Sequence, residues 1–467
     1  MAFSRRTRQL SLGLVLVGGV ALAGIVGRKG LELLTFAQAG TAYSAKVLCS
    51  GALMAGLDPQ RLEREDLALG SQLIRSRIDT ERQRVTATAL GGLISAVAIR
   101  QANLGCSLEG RDQPLVRLPV LQRTSSSGDP MGTTTPWPLN SDATASPPVV
   151  DQARLNRALD QAFAEPDANN RPRRSRAVVV VQDGWVVAER YAEDITPTTP
   201  LVGWSMTKSL LHALIGLAIA DGLMDLDQPL APLEWSRSPD DPRASITVRH
   251  LLQMNSGLAF DELSRDLSSD LVRMLTQSDD MGIFAARQPL IAVPGQRWAY
   301  ASGTTAILSN GLRRAINDDQ RYWRFPYERL FDPLGMTTAV LETDASGHFV
   351  GSSYGWASAR DWARFGLLYL NGGRWEGDQI LPEGWSDQAR RVSRGSKRNY
   401  GSHWWINRGR RHRDLPRNSF SAEGYEGQLL LVAPSHNAII VRLGQTPQRG
   451  EFDRNRFAAA VLAALST

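Results

Sequence analysis

Near the N-terminus an uncharged, mostly apolar run extends from Leu10 to Gly27, with Arg5, Arg6 and Arg8 before it and Arg28 and Lys29 after it. Its length is near the minimum of about 17 residues for a helix that crosses a bilayer. Ala39 to Leu57 reads as a helix or an extended apolar segment, and Arg84 to Leu90 alternates as a strand does. Thr124 to Pro148 is rich in Ser, Thr, Pro and Gly, has little to bury and reads as a linker. Asp151 to Phe163 then places Leu155, Leu159 and Phe163 at helical spacing. Ala177 to Val181 reads as a buried strand, Asp183-Gly184 as a tight turn, and Trp185 to Tyr191 as the returning strand. A matching hairpin lies near the C-terminus: Gln428 to Val432, a turn at Pro434 to Asn437, then Ala438 to Leu443. Phe457 to Leu465 reads as a last helix, and a long, mostly helical stretch separates the two hairpins.

This order predicts an α+β fold, with an antiparallel sheet built from both ends of the large domain and helices packed on it. A helical subdomain is inserted between the sheet-forming ends. The expected organisation is an anchor or signal segment over 1–30, a small mixed domain over 31–118, a linker over 119–150 and the large domain over 151–467.

The chain is 42% hydrophobic and 21% charged, as a folded globular protein is. Its net charge of +6 arises from 53 basic residues against 47 acidic ones. Basic runs at Arg171 to Arg176 and Arg408 to Arg413 read as a solvated face, or as one attracted to anionic lipid or wall polymer. No basic helix interleaved with aromatics and no zinc-finger spacing is present, which argues against nucleic-acid binding. The basic flank before Leu10 would stay in the cytoplasm and send the chain outward, so a single-pass anchor is expected, with a cleaved signal peptide as the alternative. An exported chain makes a disulfide between its two cysteines, Cys49 and Cys106, natural; two buried free thiols are the other reading.

Candidate chemistry begins with the lysines. There are four, Lys29, Lys46, Lys208 and Lys397, in a chain that otherwise carries its positive charge on arginine. Lys208 lies three residues after Ser205, just before a helical pattern of Leu210, Leu211, Leu214, Ile215, Leu217 and Ala218. Residues three apart share a helix face. A buried lysine can lose its proton, as arginine cannot, and a serine needs such a base to become a nucleophile. A second element, Val293 to Gly303, carries Tyr300 and Ser302, and a third, Ala422 to Gln428, leads into the last hairpin. Gly-x-Ser-x-Gly is absent, because Thr207 stands where its second glycine would be. The six histidines, His212, His250, His348, His403, His412 and His436, show no metal-site spacing, and neither a metal nor another cofactor is expected.

In order and spacing these three elements resemble the serine penicillin-recognising family of β-lactamases, D-Ala-D-Ala peptidases and related esterases. Asp221-Gly222 with Asp225 to Asp227, Thr247 to Leu258, Asp332 to Met336 and Trp356 to Gly366 extend the likeness over about residues 150 to 465. Within the family the chain is most similar to the class C-related branch, and in particular to the 6-aminohexanoate-dimer hydrolases. The resemblance implies a β-lactamase/transpeptidase-like fold. It makes Ser205 the acylated nucleophile and Lys208 and Tyr300 its proton-handling partners, with which of the two is the base left open. It puts an oxyanion hole at the backbone N–H groups of Ser205 and Tyr425, and substrate contacts at Ser302, Ala422, Glu423 and Gly424. One departure bears on substrate. Ala422 stands where the family carries Lys or His, so no cation is supplied there for a substrate carboxylate, and an inward Glu423 would repel one. The expected activity is therefore cleavage of a small-molecule or short-peptide amide or ester through an acyl-enzyme, on the outer side of the membrane. A D-Ala-D-Ala peptidase or β-lactamase, and a non-catalytic envelope-binding protein that keeps the fold, are the alternatives.

Overall fold

Hairpins from both ends of the large domain form one antiparallel sheet in the computed structural model, which describes residues 30, 32–67, 73–121, 147–165, 171–230, 232–236, 240–263, 266–447 and 452–465. In spatial order the six strands are Trp405–Ile406, Phe420–Glu423, Leu429–Ala433, Ala438–Gly444, Ser175–Gln182 and Trp185–Tyr191. The two hairpins meet where Ile440 faces Val180, which joins strands far apart in sequence.

Residues along a strand point alternately to its two faces, and here both faces are covered. Val178, Val180, Leu429, Leu431 and Ile440 pack toward the terminal helices Gln152–Phe163 and Arg454–Leu462. Val179, Val181, Leu430, Val432, Ile439 and Val441 enter the main core, against the helix Ala359–Leu370. Double coverage is why these strands read as continuous apolar runs rather than alternating ones. The inserted helices include Val248–Leu252, Asp270–Gln277, Met281–Ala286, Ser302–Ile316 and Asp319–Pro326. The α+β architecture expected from the pattern is the one observed.

The stretch left open between helix and extended segment is helical. Residues 32–48 form a helix that continues into a π-helical turn, Cys49–Met54. A four-stranded antiparallel sheet follows, Ile74–Asp79, Arg84–Ala89, Ile94–Arg100 and Cys106–Leu108. Cys49 and Cys106 are joined in a disulfide that ties this sheet to the π-turn. Ala45, Leu48, Val85 and Leu104 belong to the same apolar cluster as Leu211, Leu341 and Ala357, so the N-terminal region and the large domain share a core.

One expectation is corrected. The run Arg171–Arg176 is in part internal: Arg176 is buried, and its guanidinium bridges Asp66 at 2.7 Å and Glu65 at 2.9 Å. Desolvating an arginine demands such partners, and Asp66 comes from the N-terminal region. The apolar run Leu10–Gly27 lies outside the described residues, as does the Thr124–Pro148 linker apart from its last two residues. No described helix is long and apolar enough to cross a membrane.

Candidate active site

Ser205 sits in a single 3₁₀ turn, Trp204–Met206, that feeds the helix Thr207–Ala220. That helix is buried almost all round, so Lys208 in its first turn is enclosed, with 1% of its surface exposed. The spacing of three places both side chains on one face, and the Lys208 Nζ lies 3.0 Å from the Ser205 Oγ. Nζ also donates to the Ser302 Oγ at 3.0 Å and to the Ser352 carbonyl at 2.9 Å. Burial lowers the Lys208 ammonium to about 8, against an opposing pull from the Glu262 charge.

The turn before the helix is strained and heavily braced. Trp204 has a φ of 48°, a left-handed conformation that costs a bulky residue about 1–3 kcal/mol. The Thr207 hydroxyl donates to the Trp204 carbonyl at 2.6 Å and accepts from the Gly355 N–H at 2.8 Å. Tyr43 stacks on the Trp204 ring at 6.4 Å, and Tyr425 meets it edge-on at 6.0 Å. Thr207, which argued against a Gly-x-Ser-x-Gly elbow, thus clamps a different strained turn that presents its serine.

Tyr300 precedes the helix Ser302–Ile316, in a loop held by Ala299 N–H to the Met254 carbonyl and Gly295 N–H to the Asn255 carbonyl, at 2.9 and 2.8 Å. The Ser205 hydroxyl interacts with the Tyr300 phenol, against the upward push of burial. The contact of Tyr300 with Lys208 is through the ring: the ammonium lies over it, 4.9 Å from the centroid, because the three N–H groups point to Ser205, Ser302 and Ser352. Burial and the Glu262 charge push the Tyr300 phenol upward, so it keeps its proton at neutral pH.

The third element forms a loop over the nucleophile turn. Phe420–Glu423 pairs with a neighbour only two residues long, so Ala422 and Glu423 have no partner on that side. Gly424 then approaches the nucleophile turn so closely that a Cβ would stand 2.2 Å from the Gly203 carbonyl oxygen. Tyr425 follows directly, and its ring meets that of Trp204 edge-on at 6.0 Å. Ala422 is buried. Glu423 is also buried and does not present a bare charge. Its carboxylate receives the Arg411 guanidinium at 2.9 Å, the His412 ring at 2.8 Å and the Ser421 hydroxyl at 2.9 Å. Burial works to raise this carboxyl, and Arg411, His412 and Arg454 outweigh it, holding it well below the usual range. The charge that an inward Glu423 would bring against an anion is therefore met by its own partners, Arg411 and His412.

Several neighbours carry no sequence signal. Glu262 accepts the Ser302 N–H at 2.7 Å and the Ser302 hydroxyl at 2.6 Å. A lone carboxylate after a turn has no spacing that marks it. Tyr400 and Trp405 form an aromatic wall, with Trp405 stacked on Tyr300 at 5.3 Å and Tyr400 edge-on at 5.8 Å. Arg411 covers the Trp405 ring at 3.8 Å. Elsewhere His212 and His403 are buried among hydrogen-bond partners: His212 contacts the Tyr369 hydroxyl and Gln388, and His403 contacts the Lys208 carbonyl. Asp280, Asp344 and His348 converge at the start of the helix Met281–Ala286, where the Asp344 carboxylate accepts the N–H groups of Met281 and His348.

The comparisons with known proteins fit this geometry. A family profile described as Beta-lactamase matches residues 159–465, more than half of the chain. The 6-aminohexanoate-dimer hydrolase of Paenarthrobacter ureafaciens is 24% identical over 298 residues, covering 58% of this chain and 72% of that protein. A solved structure titled as a putative 6-aminohexanoate-dimer hydrolase from Bacillus anthracis superimposes with a TM-score of 0.55 at 22% identity, covering 66% of this chain and 81% of that one. A family VIII carboxylesterase superimposes with a TM-score of 0.52 at 15% identity, covering 68% and 98%. At these identities the structures speak for the fold alone, and the profile for the family. The chain belongs to the Beta-lactamase family.

Proposed function

We propose that the protein is a serine hydrolase that cleaves an amide or ester through an acyl-enzyme on Ser205. The observation that carries this reading is the Lys208 ammonium, fully buried, lowered to about 8 and 3.0 Å from the Ser205 Oγ. A lysine in that state exchanges its proton near neutral pH, as a general base must. In the proposed cycle the neutral Lys208 takes the hydroxyl proton as the Ser205 Oγ attacks the substrate carbonyl carbon. The oxyanion is received by the backbone N–H groups of Ser205 and Tyr425. As the tetrahedral intermediate collapses, the carbonyl re-forms and the leaving nitrogen or oxygen departs with a proton from the Lys208–Tyr300 pair. Water then attacks the acyl-enzyme, releasing the acid and restoring Ser205. Tyr300 holds its proton in the resting enzyme, which favours Lys208 as the base.

Similarity to a 6-aminohexanoate-dimer hydrolase and to a carboxylesterase fold supports a small linear amide or ester as substrate. The aromatic wall of Tyr300, Tyr400 and Trp405 suits an apolar acyl chain, and Ala422 supplies no cation for a β-lactam carboxylate. We also propose that the domain works outside the cytoplasm, anchored through the Leu10–Gly27 segment. The Cys49–Cys106 disulfide supports that placement, since such bonds persist in oxidising compartments. A fluorophosphonate probe should label the wild-type protein and leave Ser205→Ala unlabelled; equal labelling of both would reject the assignment. A panel of nitrophenyl esters, linear aminohexanoate dimer, D-Ala-D-Ala peptide and chromogenic cephalosporin should show turnover of the first two. A phosphatase reporter fused at the C-terminus should be active only if the domain is exported.

A further inference from the structure

Each hydrogen bond around Lys208 has a direction that its partners fix. The Ser352 carbonyl can only accept, so one N–H of Lys208 is committed to it. Ser302 is held at two points by one carboxylate: its N–H reaches the Glu262 Oε2 at 2.7 Å and its hydroxyl reaches Oε1 at 2.6 Å. Burial raises the Glu262 carboxyl, and the Lys208 charge and the two Ser302 hydrogen bonds oppose that rise. As a carboxylate it offers no proton, so the Ser302 hydroxyl donates to it. The Ser302 oxygen then has only lone pairs for Lys208, and a second N–H is committed there. One position of Nζ remains, and it faces the Ser205 Oγ at 3.0 Å. When Lys208 is neutral, that position holds its lone pair.

We propose that Glu262 is a positioning residue for the proposed reaction: by clamping Ser302 as an acceptor, it turns the lone pair of neutral Lys208 onto the Ser205 hydroxyl. The hydrogen bonds then run one way, from Ser205 to Lys208, from Lys208 to Ser302 and from Ser302 to Glu262. Proton transfer moves the Ser205 hydrogen to Nζ while the Oγ electron pair forms the bond to the substrate carbonyl. The resulting ammonium finds all three of its N–H groups already directed. The Glu262 charge has a second effect: it stabilises that ammonium, opposing the effect of burial. The inference rests on Ser205 being the acylated residue.

Glu262→Gln keeps the size and reverses the clamp. The amide oxygen must take the Ser302 N–H, which leaves the amide N–H group to donate to the Ser302 oxygen. The Ser302 hydrogen is then free to turn on Lys208 and compete for its lone pair. The test follows fluorophosphonate labelling rates against pH for wild type, Glu262→Gln, Ser302→Ala and the double variant, with thermal unfolding to show that each folds. The limiting rate at alkaline pH, where Lys208 is neutral, should fall about tenfold or more in Glu262→Gln. The acid limb should move to lower pH, because removing the carboxylate charge lowers the lysine further. The double variant should be no slower at the limit than Ser302→Ala, since Glu262 sets the geometry only through Ser302. An unchanged limiting rate in Glu262→Gln, or losses that multiply in the double variant, would overturn the proposal. Labelling of Ser205→Ala would instead reject the acyl-enzyme reading itself, so the two failures are distinct.

Discussion

Lys208 shows how a single position acquires its chemistry from what surrounds it. Lysine is a strongly hydrated cation, and enclosing it in the first turn of a buried helix penalises the charged form. Its three hydrogen bonds to Ser205, Ser302 and Ser352 limit that penalty without supplying a direct carboxylate contact. The result is an ammonium lowered to about 8 rather than one locked by an ion pair. The sign of the pH dependence follows. In the proposed cycle neutral Lys208 is the active form, so activity should be half-maximal near pH 8, full about one unit above it, and fall as the pH drops through that value. Initial rates on a nitrophenyl ester should therefore lose about tenfold per unit below the limb. A profile flat from pH 6 to 9 would place the base elsewhere. Lys208→Met keeps the length of the side chain and removes the amine; turnover should drop by about 10²-fold or more while the thermal midpoint changes little. Arginine would be no rescue, because it cannot release a proton. Ser205 and Lys208 were legible in the sequence because both lie within one helical turn. Glu262 and Trp405 were not, because tertiary packing alone brings them to that turn, and no local period records it.

At the scale of elements, the site is a junction between the nucleophile turn and the loop that leads into the C-terminal hairpin. The hairpins were legible because turn chemistry such as Asp183-Gly184 and doubly buried valine runs are local signals. The close approach of the loop was not, since the sequence puts Gly424 among the substrate contacts and carries no sign of the Gly203 carbonyl that stands against it. Similarly, Ala39 to Leu57 left helix and extended readings open because its residues are buried on several sides, which blurs the helical period. The junction carries a specific expectation. In Gly424→Ala the new methyl would stand 2.2 Å from the Gly203 oxygen, and backbone on backbone cannot yield by a rotamer change. The loop must move off the nucleophile turn and take the Tyr425 N–H with it. Loss of one oxyanion donor is typically worth about 3–4 kcal/mol, or a fall of about 10²–10³ in kcat. Single-turnover acylation kinetics would measure this; a loss confined to KM would mean that the loop binds substrate and does not stabilise the oxyanion.

Across the whole molecule, the N-terminal region shares its core with the domain that carries the candidate site. Tyr43 reaches the Trp204 ring beside the nucleophile, and Asp66 receives the internal Arg176. The strongest link is a buried ion pair. Glu342, directly after the short strand Val340–Leu341, accepts from Lys46, from the Ser50 hydroxyl and the Cys106 N–H, both at 2.7 Å, and from the Trp356 indole at 2.9 Å. Both charges are almost fully enclosed, with side-chain exposures of 4% and 0%. Ion pairs of this kind contribute little against an apolar replacement of the whole pair, but breaking one half strands the other charge. Lys46→Met should therefore destabilise the fold by about 3–5 kcal/mol, because the Glu342 carboxylate loses its cation while still buried. Adding Glu342→Gln should recover part of that loss: the amide needs no cation and its oxygen can keep the Ser50 and Cys106 contacts, while its nitrogen can no longer accept from the Trp356 indole. Denaturant unfolding of the two single variants and the double would measure the coupling; additive losses would show that the two side chains act independently. Because Trp204 and Trp356 line the same interior as this pair, acylation at Ser205 should slow in Lys46→Met and recover in the double variant. Unimpaired acylation in a destabilised Lys46→Met would mean that the N-terminal region supports the fold without shaping the nucleophile turn.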